Sequence, residues 1–302
     1  QVAHNIQAIS RFLSASNRNG VAVLQLVRWK DGNLVHRNHK GCWRATWFWE
    51  DTEVHVCPPS REHAHQAGRA LGLFHECLRD FQGALPEVIE GYHQESFYSR
   101  RFNEHLDQAQ REKSGVPAEI LELGGCITSH GLEWEVRNFG WHVSHGFLPL
   151  RVVHRDSKLQ NVAFRRGTTD VHGLLDWDTV GRDTVHMDLG DLLRSCCNPA
   201  GFRPDRIHDV EFDARMYEAV MTGYLDTASG FLTDMERLFL SRSAQLVLLQ
   251  LALRYTVDAL DGGATFGTDP EDPNRSLRKA RIYAQLLESS RQQQSKLDAV
   301  VS

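Results

Sequence analysis

The chain has 302 residues, with 34 Lys plus Arg against 39 Asp plus Glu and a formal net charge of −5. Its 41% apolar content is enough for a core, which excludes wholesale disorder, and its length suits one large or two ordinary domains. The mildly acidic balance argues against a broad nucleic-acid surface, which needs a basic excess, but leaves room for phosphate ligands bound through a metal.

Cys42, Cys57, Cys77 and Cys126 are scattered, and Cys196 and Cys197 are adjacent, so no C-x-x-C pair exists. That pattern argues against a zinc ribbon or a thioredoxin-like site and fits a reducing compartment. The strongest apolar run, LVLLQLAL at 246–253, is far short of the roughly 20 residues of a membrane span. The opening QVAHNIQAIS has neither the basic nor the apolar region of a signal peptide. A cytoplasmic protein without membrane contact is expected. Gln rather than Met at position 1 fits a chain that begins inside a longer product.

In chain order, Val2, Ile6, Ile9 and Leu13 recur at helical spacing, and Asn17 to Gly20 ends that helix. VAVLQLV at 21–27 reads as a buried strand, and KDGN at 30–33 carries the Asp-Gly hairpin signal. Strands are expected around 34–36 and 42–48, with a turn at Lys40-Gly41 and with Trp43, Trp47, Phe48 and Trp49 packing on the small sheet. After the loop EDTEVHVCPP the period becomes helical. Ala64, Ala67, Leu71, Phe74, Leu78 and Phe81 share a face behind a Ser60 cap. Helices are predicted over 95–113 and 118–123 with a break at Gly115-Val116-Pro117, then short strands at 151–156 and 170–178. Further helices are predicted at 211–226, 234–260 and 275–292, the last two joined by the Gly/Pro-rich segment 262–274. The class is α+β: a small antiparallel-sheet piece over 1–50, then a larger, mostly helical piece over 51–302, with a cleft between them favoured for ligands.

The chemistry concentrates in HRDSKLQNVAF at 154–164 and GLLDWD at 173–178. Asp156 and Asn161 flank a tight loop, and Asp176 follows after the length of a strand–turn–strand. Such a set suits metal-dependent phosphoryl transfer, which needs a carboxylate near the attacking hydroxyl and hard oxygen ligands for Mg²⁺. H-x-D-x-x-x-x-N followed by a strand ending in Asp resembles the protein-kinase-like catalytic pattern. The DFG position reads Asp176-Trp177-Asp178 and no A-P-E element follows. HRDSKLQN, LDWDTV at 175–180 and DLGDLLR at 188–194 resemble the aminoglycoside phosphotransferase and choline kinase superfamily, whose members phosphorylate small molecules. RYTVDALDGGATF at 254–266 with NRSLRKARIYAQLLES at 274–289 is similar to the N-acetylhexosamine 1-kinase group within it.

The resemblance implies a two-lobed protein-kinase-like fold and ATP as co-substrate. Asp156 would accept or orient the substrate hydroxyl, while Asn161 and Asp176 would bind Mg²⁺. His154, Lys158 and Asp188 would support the loop. Asp178, Arg254 and Asp258 would contact substrate, and Phe48, Trp49 and Glu50 would form the hinge beside the adenine. The acceptor implied is a small hydroxylated molecule, most specifically an N-acetylhexosamine phosphorylated at the anomeric position. An aminoglycoside- or choline-type acceptor, or a weak or inactive homologue that only binds sugar, remain open alternatives. Oligomeric state is not readable.

Kinase-like small lobes also carry a Gly-rich hairpin and a strand Lys paired to a helical Glu. A five-strand lobe with one helix needs about 60–70 residues, whereas only about 50 precede the hinge and residues 1–15 contain no Glu. The expectation is a small lobe shortened at its N-terminus. Among the histidines, His75-Glu76 lacks the second His of a zincin, while His142 and His145 could share a helical face.

Overall fold

Helix α1 (Val2–Ala15) turns Ile6, Ile9 and Leu13 inward, as their spacing predicts. The buried Asn5 amide donates to the carbonyls of Pro86 (2.9 Å) and Val180 (3.2 Å), which pins α1 to the turn that follows Asp176. A computed structural model describes residues 1–15, 20, 22–93, 95–112, 120–121, 123–124, 132–202 and 209–302. Residues 17–19 of the expected first break, the break at 115–117, residues 118, 119 and 122 of the helix at 118–123, and Cys126 lie outside the described residues.

The small sheet is slighter than its sequence predicts. Strand β1 (Leu26–Val27) pairs antiparallel with β4 (Ala45–Thr46), and between them β2 (His36–Asn38) pairs with β3 (Gly41–Trp43). Only the end of 21–27 is a strand, and Ala22 makes a single bridge to Gly173. The hairpin tip lies at His39-Lys40. The KDGN segment is a local loop in the first arm, closed by the Trp29 amide donating to the Asn33 carbonyl and the Asn33 amide to Asp31. The aromatic run does not pack on this sheet as expected. Trp43, Trp47 and Phe48 are exposed, because strands of two or three residues have no apolar layer over that face. Trp49 alone packs, edge-on to His172 at 4.9 Å.

The helical lobe follows. Helix α2 (Arg61–Leu78) starts at Ser60, whose hydroxyl accepts from the His63 amide. Next come α3 (Glu95–Glu112) and α4 (Leu132–Ser144). Strand β6 (Arg151–Val153) pairs antiparallel with β9 (Gly181–Asp183). β7 (Val162–Arg165) pairs with both β8 (Val171–Leu174) and β5 (Thr52–Glu53). The two ladders close the 154–161 loop and the 176–180 turn against each other.

Behind them lie α5 (Val185–Cys196), α6 (Ala214–Ala228), α7 (Asp234–Phe239), α8 (Ser243–Leu260), α9 (Arg275–Gln292) and α10 (Gln294–Val301). The helix predicted over 234–260 is divided by a 3-10 turn at Leu240–Arg242. Its first part is set by a capping box in which the Thr233 hydroxyl accepts from the Glu236 amide and the Glu236 carboxylate accepts from the Thr233 amide. α8 is buried from Ser243 to Asp258 and forms the spine of the core, packed by α5, α9 and α3. Among the described residues no helix is long and apolar enough to cross a membrane.

Candidate active site

His154, at the end of β6, is fully buried. Its Nε2–H donates to the Leu175 carbonyl (2.7 Å), which leaves Nδ1 to accept the Asp156 amide (3.3 Å). The Leu175 amide donates to the Asn161 carbonyl at 2.8 Å, so the residue before Asp176 is tied to both ends of the loop. Asp188, on α5, closes this frame from below. One oxygen accepts the Arg155 amide (2.6 Å); the other accepts the His154 amide (2.6 Å) and His75 Nε2–H (2.9 Å). Burial alone would raise the Asp188 carboxyl, yet the His75 hydrogen bond and charge, with the His154 contacts, bring it below the ordinary carboxylate range. Arg155 is thereby kept at φ 66°, a left-handed conformation uncommon for a non-glycine residue.

Within this frame the acidic side chains converge. Lys158 Nζ donates to Asp156 Oδ2 at 2.7 Å, and the Asn161 amide donates to the same oxygen (3.0 Å) and to the Asp156 carbonyl (2.7 Å). Asp156 Oδ1 and Asn161 Oδ1 have no protein partner among the described residues. Asp176 sits at φ 60°, the left-handed position at the head of the 3-10 turn Trp177–Thr179. Its carboxyl is pushed up by burial first, then by the charges of Asp178 and Asp156. Asp178 pairs with Arg44 from the small lobe. Trp177, in the middle of Asp-Trp-Asp, points into the core, where its indole N–H donates to the Leu174 carbonyl at 2.7 Å and its ring packs on Phe74 at 5.6 Å.

These donors fit a divalent cation. A carboxylate open to the cleft and crowded by two others, beside an amide whose nitrogen is already used, offers the hard oxygens that Mg²⁺ takes, with the remaining positions left to water and phosphate. Among the described residues no group of three or more His, Cys, Asp or Glu is gathered as a metal site. His142 and His145 do not form one: each ring bonds back to its own helix, at Asn138 and Trp141.

The remaining sequence candidates are spread over the cleft. Arg254 is buried, with its guanidinium over Tyr92, Tyr98 and Phe266. Asp258 faces the 262–276 connection, where its oxygens accept the Thr265 amide (2.7 Å), the Phe266 amide (3.0 Å) and the Ser276 hydroxyl (2.5 Å). Phe48 is exposed, Trp49 packs on His172, and Glu50 is an exposed turn residue. Sequence reasoning missed His75, set aside once the zincin spacing failed, and it did not single out Tyr92, Tyr255 or Lys279, the last two of which lie within the quoted 254–266 and 274–289 segments.

The fold is shared by solved kinases. An aminoglycoside phosphotransferase from Alicyclobacillus acidocaldarius superposes with a TM-score of 0.60 at 14% identity, over 97% of this chain and 84% of that one. A microcompartment-associated aminopropanol kinase gives 0.60 at 15%, over 99% and 84%. A choline/ethanolamine kinase family protein from Mesorhizobium loti gives 0.51 at 16%, over 100% and 84%. At such identities the likeness establishes the protein-kinase-like architecture of a small antiparallel-sheet lobe and a larger helical lobe. The model of the phosphotransferase enzyme family, APH, matches residues 1–232, a span that contains the small lobe, the 154–161 loop and the Asp176 turn together. On that match the chain belongs to the APH phosphotransferase family.

Proposed function

We propose that the protein transfers the γ-phosphoryl group of ATP to a hydroxyl of a small acceptor. The observation that carries this reading is the single frame joining Asp156, Asn161 and Asp176 through His154, Leu175 and Asp188. Asp156 Oδ2 is committed to Lys158 and Asn161, which leaves Oδ1 to receive the acceptor O–H. The acceptor oxygen forms its bond to the γ-phosphorus as the bond to the β–γ bridging oxygen breaks. ADP leaves, and the hydroxyl proton passes to Asp156 and then to water. In a loose transition state the positioning of that hydroxyl matters more than base strength. Asn161 and Asp176 would hold Mg²⁺, which supplies positive charge against the phosphate oxygens. Lys158 stands where it can add charge on the transferring side.

His154 and Asp188 act as positioning residues through the loop backbone. The packing of Trp49 on His172 and the pairing of Arg44 with Asp178 support a nucleotide hinge at 48–50. The resemblance to the N-acetylhexosamine 1-kinase group points to a sugar, and to its anomeric hydroxyl. The acidic Asp178 is paired to Arg44, so its role in this reading is to tie the lobes, with substrate contact a secondary use. Asp258, saturated by its loop, supports the acceptor side by shaping 262–276.

The test is acceptor-dependent ADP release. Asp156→Asn should lower kcat by about 10²–10⁴-fold with the melting temperature retained. Turnover unaffected by that substitution would overturn the role of Asp156.

A further inference from the structure

Three small-lobe residues reach the run 172–178 that carries Asp176. The Ala22 amide donates to the His172 carbonyl at 2.8 Å, and Ala22 bridges to Gly173. Trp49 packs edge-on to the His172 ring at 4.9 Å. Arg44, between β3 and β4, pairs with Asp178 Oδ1. The first two contacts are backbone and ring contacts on β8. The third differs in kind: it is a charge pair, and it falls on the 3-10 turn two residues past Asp176.

That pair is weakly held. Arg44 and Asp178 are 33% and 38% exposed, so water competes for both groups and the geometry is easily exchanged. The lobes are joined without it, by the contacts of Ala22 and Trp49 and by the pairing of β5 with β7. Asp178 also shares its turn with a second carboxylate, and its charge, after burial, pushes the Asp176 carboxyl up.

The phosphotransferase reading brings a triphosphate to this acidic turn. Nearby cations are committed elsewhere. Lys158 is bonded to Asp156 (2.7 Å), Arg155 faces Asp183 (3.5 Å) and Glu87 (3.7 Å), and Arg28 donates to the Gly32 carbonyl of its own loop (2.7 Å). Arg44, in contrast, is held at the turn by an exposed carboxylate that incoming phosphates would repel. Its planar guanidinium is also suited to two parallel bonds to phosphate oxygens, which bind more strongly than an exposed ion pair.

We propose that Arg44 is a nucleotide-binding residue that exchanges Asp178 for the phosphate oxygens when Mg·ATP binds. Asp178 holds the guanidinium at the cleft until the nucleotide arrives. The inference rests on the phosphotransferase reading for the place of the nucleotide and adds a small-lobe residue that grips it.

Calorimetry of Mg·ATP on the full chain, without acceptor, tests it in a cycle of Arg44→Gln, Asp178→Asn and the double variant, with melting followed in parallel. Arg44→Gln should weaken binding by about tenfold or more, the loss expected for a charge-assisted bond to phosphate. Asp178→Asn should stay within about twofold of wild type or bind more tightly, because it removes a competitor of the phosphates. The double variant should bind about tenfold more weakly than Asp178→Asn, since Arg44 acts there without its protein partner. A pair that only ties the lobes gives another pattern: Asp178→Asn weakens binding as much as Arg44→Gln, and the double variant loses nothing further. That pattern would overturn the proposal, as would an unchanged affinity in Arg44→Gln. Because binding is read without acceptor, the two readings fail separately. Arg44-dependent binding with no ADP release on adding N-acetyl-D-glucosamine, ethanolamine or kanamycin counts against phosphoryl transfer alone. ADP release with one of these that is unchanged in Arg44→Gln at subsaturating ATP counts against Arg44 alone. Wild-type protein that fails to bind Mg·ATP at millimolar concentration refutes both.

Discussion

His186 shows how a single buried side chain sets a pH limit on this protein. It is fully buried on α5, its Nε2–H donating to the Glu236 carbonyl at 2.8 Å and its Nδ1 unpartnered. Burial, only partly offset by Glu236, brings its pKa down to about 4 from an ordinary 6.5. The folded state therefore keeps the ring neutral while the unfolded chain protonates it. Stability from this group is full above about 6.5 and is lost progressively as pH falls towards about 4, by an amount on the order of 3 kcal/mol. His186→Phe should shrink the difference in melting temperature between pH 7.5 and pH 5; an unchanged difference would refute the assignment. At the same scale, Asp188 illustrates how packing gives a sequence-expected role its contacts. The resemblance implies loop support for Asp188, and the 2.6 Å bonds to the amides of residues 154 and 155 show which backbone groups it holds.

At the scale of elements, the helical lobe depends on helices that approach closely. Gly68 of α2 faces the Val220 carbonyl of α6, and Gly223 of α6 faces the His65 carbonyl of α2. A methyl group at either position would sit well inside van der Waals distance of backbone, which cannot move as a side-chain tip can. Gly223→Ala should therefore destabilise by about 1–3 kcal/mol or more, measured by denaturant unfolding, whereas Gly140→Ala, whose added carbon meets nothing, should cost far less. α2 carries His75 to Asp188, so spreading this helix pair should also loosen the loop frame. The same reasoning explains why helix spans were legible and strand spans were not. α9 occupies the predicted 275–292, because an amphipathic period over several turns is a strong local signal. The strands of the small lobe are two or three residues long, too short to carry a period, and their pairing depends on partners distant in sequence.

Across the whole molecule, burial is uneven. α5 and α8 are buried along almost their full lengths, while β3 and β4 are exposed. Local opening follows buried contact, so amide exchange should be slowest in α5 and α8 and fastest in the β2–β3 hairpin, with the 154–161 loop protected nearer the helical limit because Asp188 and Ser195 anchor it. Equal protection of the hairpin and α8 would refute this gradient.

What the sequence by itself determined is the phosphotransferase motif, the family resemblance and the amphipathic helices, because each lies in contiguous residues of fixed spacing. Asp156, Asn161 and Asp176 were readable for that reason. Only the tertiary structure decided which side chains surround them. His75 on α2, His154 after β6, Leu175 after β8 and Asp188 on α5 meet only on folding, and the hydrogen bonds that join them around the loop arise from long-range packing, which no local spacing encodes. The motif therefore points to the transfer chemistry, while long-range packing decides which side chains hold that motif in place.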